Sequence, residues 1–429
     1  MRRSISGLAF ILAIICFQKA TYGQGSNEIT VKNPSAFGRE NELIILKREE
    51  VEKKLGPLAW GTFIAISNAG NKDIRLQFDD LNKDGNWDEA VFLYSFKSRE
   101  KARFTIAKAK NPGSNEAVVA HVRHMRKGEG RTFGPALEKD SIPAGQPNND
   151  FGKQPLPAFL TEGPAWENDK VGFRVYFDVR NTKDIWGKTV KHMVLDSVGT
   201  DPADSYHDKS SWGMDLLAVG KSLGAGSLAL AVPVPGRKDS LVRLGGKNMG
   251  PVFYERLTDG PVRAIFKLRY PAWKVIEGFA ATELTEEISI WGGQYFYESK
   301  VELKNAPEGS KLITGIVNLF SKEMKIIDAG GTKGIFTYDV QSENKDKLGM
   351  AVLLSEEGFE GTGVTPNEAT DIRNTYYVTM KPGEGQLNKF RFYAAWEQSD
   401  QRFATDEGFR SFIMTEAVKN AMPLEIGWE

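Results

Sequence analysis

The sequence predicts a mostly β protein built from a large antiparallel, supersandwich-like β-sandwich preceded by a small N-terminal β-sandwich. Short segments of alternating apolar and polar residues recur along almost the whole chain, which is the period of a half-buried strand. The 43 glycines and 19 prolines separate these segments, and stretches with helical periodicity are few. The 429 residues exceed what one ordinary hydrophobic core accommodates, so two domains are expected.

Residues 1–23 have the organisation of a secretory signal peptide. Arg2 and Arg3 are charged, residues 8–17 are apolar, and Thr21 and Gly23 are small residues before the expected cleavage site. The apolar run is about half of the ~20 residues that a membrane-spanning helix needs, although an N-terminal anchor is the alternative. The single cysteine, Cys16, lies in this segment, so the mature chain has no disulfide and no reactive thiol. We expect a periplasmic protein without membrane attachment after cleavage.

The charge balance argues against one class of partner. The chain has 56 basic and 56 acidic residues, and its formal charge is zero. It therefore lacks the field with which nucleic-acid-binding proteins attract a polyanion. We expect no nucleic-acid partner, and an anionic ligand must be bound by a local group of arginine or lysine side chains.

Residues 24–110 are predicted to form the small β-sandwich. Their short alternating segments and turn residues are typical of this fold. The expected strands cover residues 43–46, 61–66, 74–78, 90–94 and 102–106, with a short helical turn ending near Leu55.

Residues 111–429 are predicted to form the large, catalytic β-sandwich. The domain starts with an irregular connection over residues 126–163, and long loops of this kind are often functional. One helix is expected from Thr405 to Asn420. The clearest predicted strands cover residues 172–177, 262–268, 282–290, 295–303, 315–319, 349–354, 376–380 and 389–396.

A possible structural calcium site lies in the small domain. Asp80, Asn82, Asp84 and Asp88 occupy positions 1, 3, 5 and 9 of a calcium-loop pattern, with Gly85 at position 6. The pattern lacks the glutamate at position 12 and is flanked by predicted strands. A β-hairpin loop without metal is the alternative.

The segment 201–226 has the highest concentration of reactive side chains. Tyrosine and histidine transfer protons, tryptophan stacks on sugar rings, and glycine allows the backbone to approach a ligand. A solvated loop with a buried tryptophan is the alternative. The residues concerned are Tyr206, His207, Trp212, Asp215 and Lys221.

A second region extends from Glu162 to Asn181. Arginine binds carboxylate or sulfate groups in a bidentate manner, so this region is predicted to form the floor for an anionic sugar. A solvated sheet face with ordinary ion pairs is the alternative. Trp166 and Glu167 precede a predicted strand that presents Arg174, Tyr176, Asp178 and Arg180 on one face and apolar residues on the other.

The four histidines are few enough to be considered individually. On a strand, His121 and His124 would point to opposite faces, which disfavours a metal site formed by this pair. No zinc-protease motif is present. We therefore expect no cofactor in catalysis, and His124 remains a reserve candidate for acid or base.

Five segments together resemble one secreted family of polysaccharide-degrading bacteria. They are WENDKVGFR (166–174), DIWGK (184–188), Tyr206-His207, WGMDLLAVGKSLGAG (212–226) and GPVR (260–263). The family was long catalogued as a domain of unknown function, and it includes an ulvan oligosaccharide dehydratase. The resemblance covers nearly the whole mature chain. It implies removal of water from the glucuronic or iduronic acid at the non-reducing end of ulvan oligosaccharides, which gives a 4,5-unsaturated uronic acid.

Such an elimination requires three kinds of group. A cation must neutralise the uronate, a base must remove H5, and an acid must protonate the departing O4. Arg174 or Arg180 could neutralise the carboxylate, and Tyr206 and His207 are the first candidates for base and acid. His124 and Lys221 are held in reserve, with Trp166 or Trp212 as the sugar platform. Glu167, Tyr176 and Asp215 are expected to contact the substrate.

Three other functions remain open from the residues alone. A polysaccharide lyase needs the same groups but expels a sugar instead of water. A non-catalytic periplasmic glycan-binding protein would also use surface tryptophans on a β-sandwich. A glycosidase would need two carboxylates across a cleft, which Glu162, Glu167, Asp178 and Asp215 could supply.

Overall fold

The computed structural model describes residues 27–70, 72–112, 118–366, 371–381 and 387–428. The predicted signal peptide, with Cys16, lies outside these residues. No helix within them is both long and apolar enough to cross a bilayer. The predicted fold class is confirmed, because the described chain is mostly β and its sheets are antiparallel.

The small sandwich packs a five-stranded sheet on a three-stranded one. Its elements are β1 (Asn27–Lys32), β2 (Arg39–Lys47), α1 (Arg48–Leu55), β3 (Phe63–Asn68), β4 (Asp73–Ile74), β5 (Gln77–Asp79), β6 (Glu89–Phe96) and β7 (Lys101–Ala109). The single strand predicted over residues 74–78 is two strands, because the chain crosses there from the larger sheet to the smaller one.

The large sandwich is built on a nine-stranded sheet. Its first strands are β8 (Ala120–Arg123), β9 (Lys139–Ile142), β10 (Ala165–Asn168), β11 (Val171–Val175), β12 (Lys183–Lys188), β13 (Gly213–Asp215), β14 (Ala225–Val232), β15 (Ser240–Arg243), β16 (Val252–Thr258) and β17 (Arg263–Trp273). The remaining elements are β18 (Thr282–Trp291), β19 (Phe296–Lys304), β20 (Lys311–Val317), β21 (Lys325–Ala329), β22 (Thr332–Val340), β23 (Lys347–Ser355), β24 (Phe359–Val364), β25 (Thr375–Met380), β26 (Asn388–Trp396), α2 (Asp406–Ala421) and β27 (Glu425–Trp428).

Two five-stranded sheets share one hydrophobic core with the nine-stranded sheet. Their strand orders are β13-β12-β11-β10-β8 and β15-β14-β20-β25-β24, whereas the large sheet runs β21-β22-β23-β26-β19-β18-β17-β16-β9. Helix α2 covers part of the opposite face of the large sheet, with Phe409 and Ile413 buried there. Thr405 is its N-cap residue, and the Thr405 hydroxyl accepts a hydrogen bond from the Gly408 N–H.

Buried polar contacts and the last strand join the two sandwiches. The Arg263 guanidinium on β17 contacts Asp79 at 2.6 Å and Glu89 at 2.5 Å. Strand β27 pairs with β1, so the small sandwich also takes in the C-terminal strand. The small domain is thereby fixed against the large one at two places.

Candidate active site

The sheet β13-β12-β11-β10-β8 has an apolar face and a charged face. Arg174 lies directly across from Asp184, and Trp186 lies across from Asp215. Side chains alternate along a strand, so these four point away from the core, into which Phe173 points. The charged face of this sheet is the foundation of the candidate site.

The loop of residues 189–212, between β12 and β13, covers the charged face. Val194 and Leu195 of this loop pack against Trp186. Glu167 is completely buried below them, and its Oε1 accepts hydrogen bonds from the N–H groups of Val194 (2.7 Å) and Leu195 (2.8 Å). Lys188 forms an ion pair with the other oxygen of Glu167. This buried pair therefore anchors the loop.

Arg174 is the centre of the buried charge cluster. Its Nη2 lies 2.5 Å from Asp215 Oδ2, 2.8 Å from Asp184 Oδ2 and 2.6 Å from the Tyr176 hydroxyl. Burial alone would lower the pKa of Arg174, but its interactions with Asp215, Tyr176 and Asp184 together outweigh burial, and the net pKa is raised well above its usual value. Arg174 thus stays cationic and fully buried at the base of the site.

Tyr206 and His207 lie on the loop above this cluster. Their ring centroids are 4.6 Å apart, and His207 Nδ1 is 3.4 Å from Asp215 Oδ2 and 3.8 Å from Glu343 Oε2. The His207 side chain is 54% exposed. Burial raises the pKa of the Tyr206 phenol, so Tyr206 keeps its proton at neutral pH. The pair combines a protonated phenol with an accessible imidazole.

Asp215 is the carboxyl group that connects the exposed and buried parts of the site. Burial raises its pKa well above the usual range, and repulsion from Asp184 and Glu343 adds to this, while Arg174 opposes it. Its Oδ1 is buried without a hydrogen-bond partner among the described residues. Asp215 can therefore hold or share a proton with His207 Nδ1.

Arg180 is the more accessible of the two guanidinium groups. It stacks on the Tyr176 ring, with Cζ 3.8 Å from the centroid, and its side chain is 29% exposed. Its Nη2 lies 2.5 Å from Asp178 and 2.7 Å from Glu162. These contacts fix the plane of the guanidinium, which is the group in this cluster that an anionic ligand can reach.

Two consecutive residues with left-handed backbone angles lie beside Arg174. Thr161 has φ 49° and Glu162 has φ 67°, a region that β-branched and charged residues rarely adopt. The Thr161 carbonyl accepts a hydrogen bond from Arg174 Nη1 at 3.4 Å, and Glu162 Oε2 is 3.7 Å from the same nitrogen. Strain of this kind is concentrated at functional sites.

The structure brings together six of the predicted site residues. They are Arg174, Tyr176, Arg180, Tyr206, His207 and Asp215, linked by the contacts above. Trp212 is half-buried next to them, with its ring centroid 6.0 Å from that of Trp186.

Four other predicted site residues lie elsewhere or are inaccessible. Trp166 is fully buried in the core between Phe173 and Tyr297 because it points to the apolar face of its strand, so it cannot be a sugar platform. Glu167 is buried, and its oxygens are bound by Lys188 and by the N–H groups of Val194 and Leu195. It is therefore not available to contact a substrate. Lys221 is exposed, and within the described chain its side chain contacts none of the cluster.

His124 is also unsuited to proton transfer with a substrate. Its side chain is completely buried beside Phe159 and Tyr254, and its Nε2 lies 2.7 Å from Asp140 Oδ2. Burial lowers the pKa of His124, although Asp140 opposes this effect. We assign it to the core.

The strand predicted from Arg174 to Arg180 ends early. Strand β11 stops at Val175, and the chain turns over residues 177–180. Asp178 Oδ1 accepts a hydrogen bond from the Arg180 N–H, and Asn181 has φ 44°, which are turn features that end a strand. The predicted single polar face is therefore a strand followed by a hairpin turn.

Three residues of the site had no assigned role in the sequence prediction. Asp184 and Trp186 lie in the DIWGK segment, where alternation with the core residue Ile185 could have placed both on the face opposite to the core. Glu343 comes from the loop after β22 and is positioned by a hydrogen bond from its own N–H to the Leu216 carbonyl. Glu343 lies far along the sequence from the other site residues, so no local pattern could have indicated its role.

The predicted calcium loop lies on the small sandwich. Asp80 accepts hydrogen bonds from the N–H groups of Asp84 and Gly85, and Asp88 accepts them from Leu81 and Asn82. In the described ranges, no group of three or more His, Cys, Asp or Glu side chains is placed to hold a metal ion. Calcium binding here stays a prediction.

Comparison with known proteins identifies relatives of the whole chain. Residues 31–426 match the profile of a family described as a domain of unknown function, DUF4861. A protein of Formosa agariphila named uncharacterized protein P7 is 24% identical over 451 residues, covering 98% of both chains.

Two solved structures from Enterococcus faecalis share the fold. An α-mannosidase matches 96% of this chain with a TM-score of 0.53 and 9% identity, and a protein of glycosyl hydrolase family 38 matches 95% with a TM-score of 0.51 and 10% identity. The chain spans 46% and 48% of those proteins, just under half of each. At this identity the likeness concerns the fold alone.

Proposed function

The chain belongs to the DUF4861 family, and on this premise we propose that it is a periplasmic hydro-lyase acting on ulvan oligosaccharides. It eliminates water from the glucuronic acid at the non-reducing end and leaves a 4,5-unsaturated uronic acid. The observation that carries the proposal is the adjacent pair Tyr206 and His207, with ring centroids 4.6 Å apart, above the buried Arg174–Asp215 pair. Likeness in fold to carbohydrate-active enzymes is compatible with it.

The pair supplies the base and the acid for this elimination. His207 removes H5 as a proton, the C5–H electrons form the C4=C5 double bond, and the C4–O4 bond breaks. Tyr206, whose raised pKa keeps it protonated, donates its proton to O4, which leaves as water. The proton on His207 then returns to the Tyr206 oxygen, so the enzyme is regenerated without a further reactant. Asp215 orients the imidazole and, because burial raises its pKa, can share the proton that His207 takes up.

Arg180 fits the role of binding the substrate carboxylate. Negative charge develops on this carboxylate as H5 leaves, so a fixed cation there lowers the barrier. Asp178 and Glu162 hold the Arg180 guanidinium in place, and its side chain is 29% exposed, whereas Arg174 is completely buried. We assign substrate binding to Arg180 and the support of Asp215 to Arg174.

The position of the pair favours glucuronate over iduronate. Two neighbouring side chains of one loop approach the sugar from the same side. In a glucuronate, H5 and O4 lie on one side of the ring, whereas in an iduronate they lie on opposite sides. The adjacent Tyr206 and His207 are therefore suited to a same-side elimination from glucuronate.

A glycosidase is less compatible with this geometry. It needs two carboxyl groups facing each other across a cleft, but Glu162, Asp178 and Asp215 are all paired with arginine and Glu167 is buried with Lys188. A polysaccharide lyase shares the chemistry, and only its product distinguishes it.

The test measures product mass for three single variants. We expect His207→Ala and Tyr206→Phe to lower the rate of water loss by at least about a hundredfold, the contribution typical of a general acid or base. His192→Ala is the matched control, because His192 is an exposed histidine of the same loop. Full activity in both site variants would remove the assignment.

A further inference from the structure

The small sandwich exposes one tryptophan that the proposed reaction does not use. Nine tryptophans occur in the chain, and all nine are described. Trp60 is 71% exposed, while the other eight are buried or half-buried. A tryptophan is costly to leave in water, because it is among the side chains with the largest apolar surface.

The backbone turn that carries Trp60 is fixed by hydrogen bonds. It occupies a tight turn closed by a 3.0 Å hydrogen bond from the Thr62 N–H to the Ala59 carbonyl, with Gly61 at φ 71°. The Thr62 carbonyl in turn accepts a 3.0 Å hydrogen bond from Nε1 of the buried Trp87. The turn that presents the indole is thus fastened to the core of the small domain.

The indole rests with one edge on Gly85. A Cβ atom at position 85 would lie 2.5 Å from Trp60 Cη2 and 3.0 Å from Cζ2, so only glycine allows this contact. Gly85 has φ 91°, and its N–H donates a 2.8 Å hydrogen bond to Asp80. Lys83 Nζ, on the same loop, donates a 2.7 Å hydrogen bond to the Leu257 carbonyl of the large domain. The support under the indole is therefore itself fixed.

We propose that Trp60 and the adjoining loop of residues 80–88 form a second glycan-binding site, which takes an uncharged sugar residue by stacking on the indole. A preorganised aromatic ring loses little conformational entropy when a sugar stacks on it. Exposed Asn82 and Asp84 on the neighbouring loop provide polar groups for hydroxyls. The loop contains three aspartates and one lysine, so it repels uronate and sulfate groups.

A protein partner fits this surface poorly. A stable protein interface buries about 800 Å² per partner around an apolar centre. The exposed residues that flank Trp60 and Gly85 along the chain are instead small or polar, including Ala59, Gly61, Asn82 and Asp84. A single rigid ring in a hydrophilic surround suits a sugar.

Affinity electrophoresis of the whole protein tests the proposal. The probes are soluble xylan, β-glucan and galactan as uncharged glycans, with ulvan as the anionic one. We expect retardation by at least one uncharged glycan, and Trp60→Ala should raise its dissociation constant at least about tenfold, the loss of roughly 1.4 kcal/mol. Phe279→Ala is the matched control, because Phe279 is 70% exposed but lies between β17 and β18 of the large sandwich.

The outcomes separate this site from the proposed active site. Binding that survives in His207→Ala and disappears in Trp60→Ala supports the proposal whether or not the dehydratase activity is found. Absence of retardation by all three uncharged glycans, or equal retardation of Trp60→Ala and the wild type, overturns it. Retention that depends on Trp60 only with ulvan also overturns it, since the site would then accept an anionic glycan.

Discussion

The buried pair Glu167–Lys188 should control the order of the loop that carries Tyr206 and His207. In Glu167→Gln the charge is lost and Lys188 stays buried without its paired carboxylate. Glu167 also accepts hydrogen bonds from two N–H groups of the loop at 2.7 and 2.8 Å. A neutral glutamine oxygen can accept them only more weakly. Hydrogen bonds to charged groups contribute about 1.5–3 kcal/mol each, and breaking a buried ion pair costs about 3–5 kcal/mol. We expect the free energy of unfolding to fall by roughly 3 kcal/mol.

A second buried pair on the same strand provides the control. Lys183 Nζ lies 2.7 Å from Glu286 Oε1, and both side chains are 2% exposed, but this pair faces the core rather than the loop. Glu286→Gln should destabilise the protein by a similar amount in denaturant titrations. Only Glu167→Gln should increase amide hydrogen exchange over residues 189–212. Equal protection of that loop in the two variants would refute the role of Glu167 as its anchor.

Three further changes have defined outcomes. Burial lowers the pKa of His121, but its contacts with Asp196 and Asp259 outweigh burial and raise the pKa to about 9. The stabilisation from these contacts is therefore complete below about pH 6.5 and is lost as the pH rises through 9. The slope of unfolding free energy against pH over this range should be smaller in His121→Gln, and an unchanged slope would contradict this. Trp166→Ala should lower the free energy of unfolding, measured by denaturant titration, by about 3–5 kcal/mol because the ring is completely buried in the core. A loss below about 1 kcal/mol would contradict this placement of the ring. Arg180→Lys should reduce kcat/KM by about 10–100-fold with little change in melting temperature. A lysine ammonium cannot pair with Asp178 and Glu162 and at the same time hold a cation at the position of the guanidinium. Unchanged kcat/KM would remove Arg180 from the site.

The period-two pattern predicted the fold class and most strands because alternation records which face of a strand is buried. Turn chemistry overrode it at Asp178 and Asn181, where the chain bends although the alternation continues. The same alternation, applied to Trp166 and Glu167, could have placed the tryptophan in the core. It could not have revealed the anchoring role of Glu167, which depends on a loop nearly 30 residues away.

The candidate site could be predicted only as far as it is local in sequence. Tyr206 and His207 are adjacent, so their clustering was visible. Arg174 and Asp184 face each other across a hairpin, which requires the strand register. Glu343 reaches the site from the other sheet, and its contribution depends on the assembled fold.

The measurement that tests the central claim most directly is the mass of oligosaccharides ending in glucuronate, and separately in iduronate, after incubation with the mature protein. We predict loss of one water with unchanged chain length, rising ultraviolet absorbance of the new double bond, and faster reaction of the glucuronate-ended substrate. Reaction of the iduronate-ended substrate alone would contradict the same-side elimination but leave the dehydratase in place. Shortened products, or no change in mass with either substrate, would contradict the dehydratase itself.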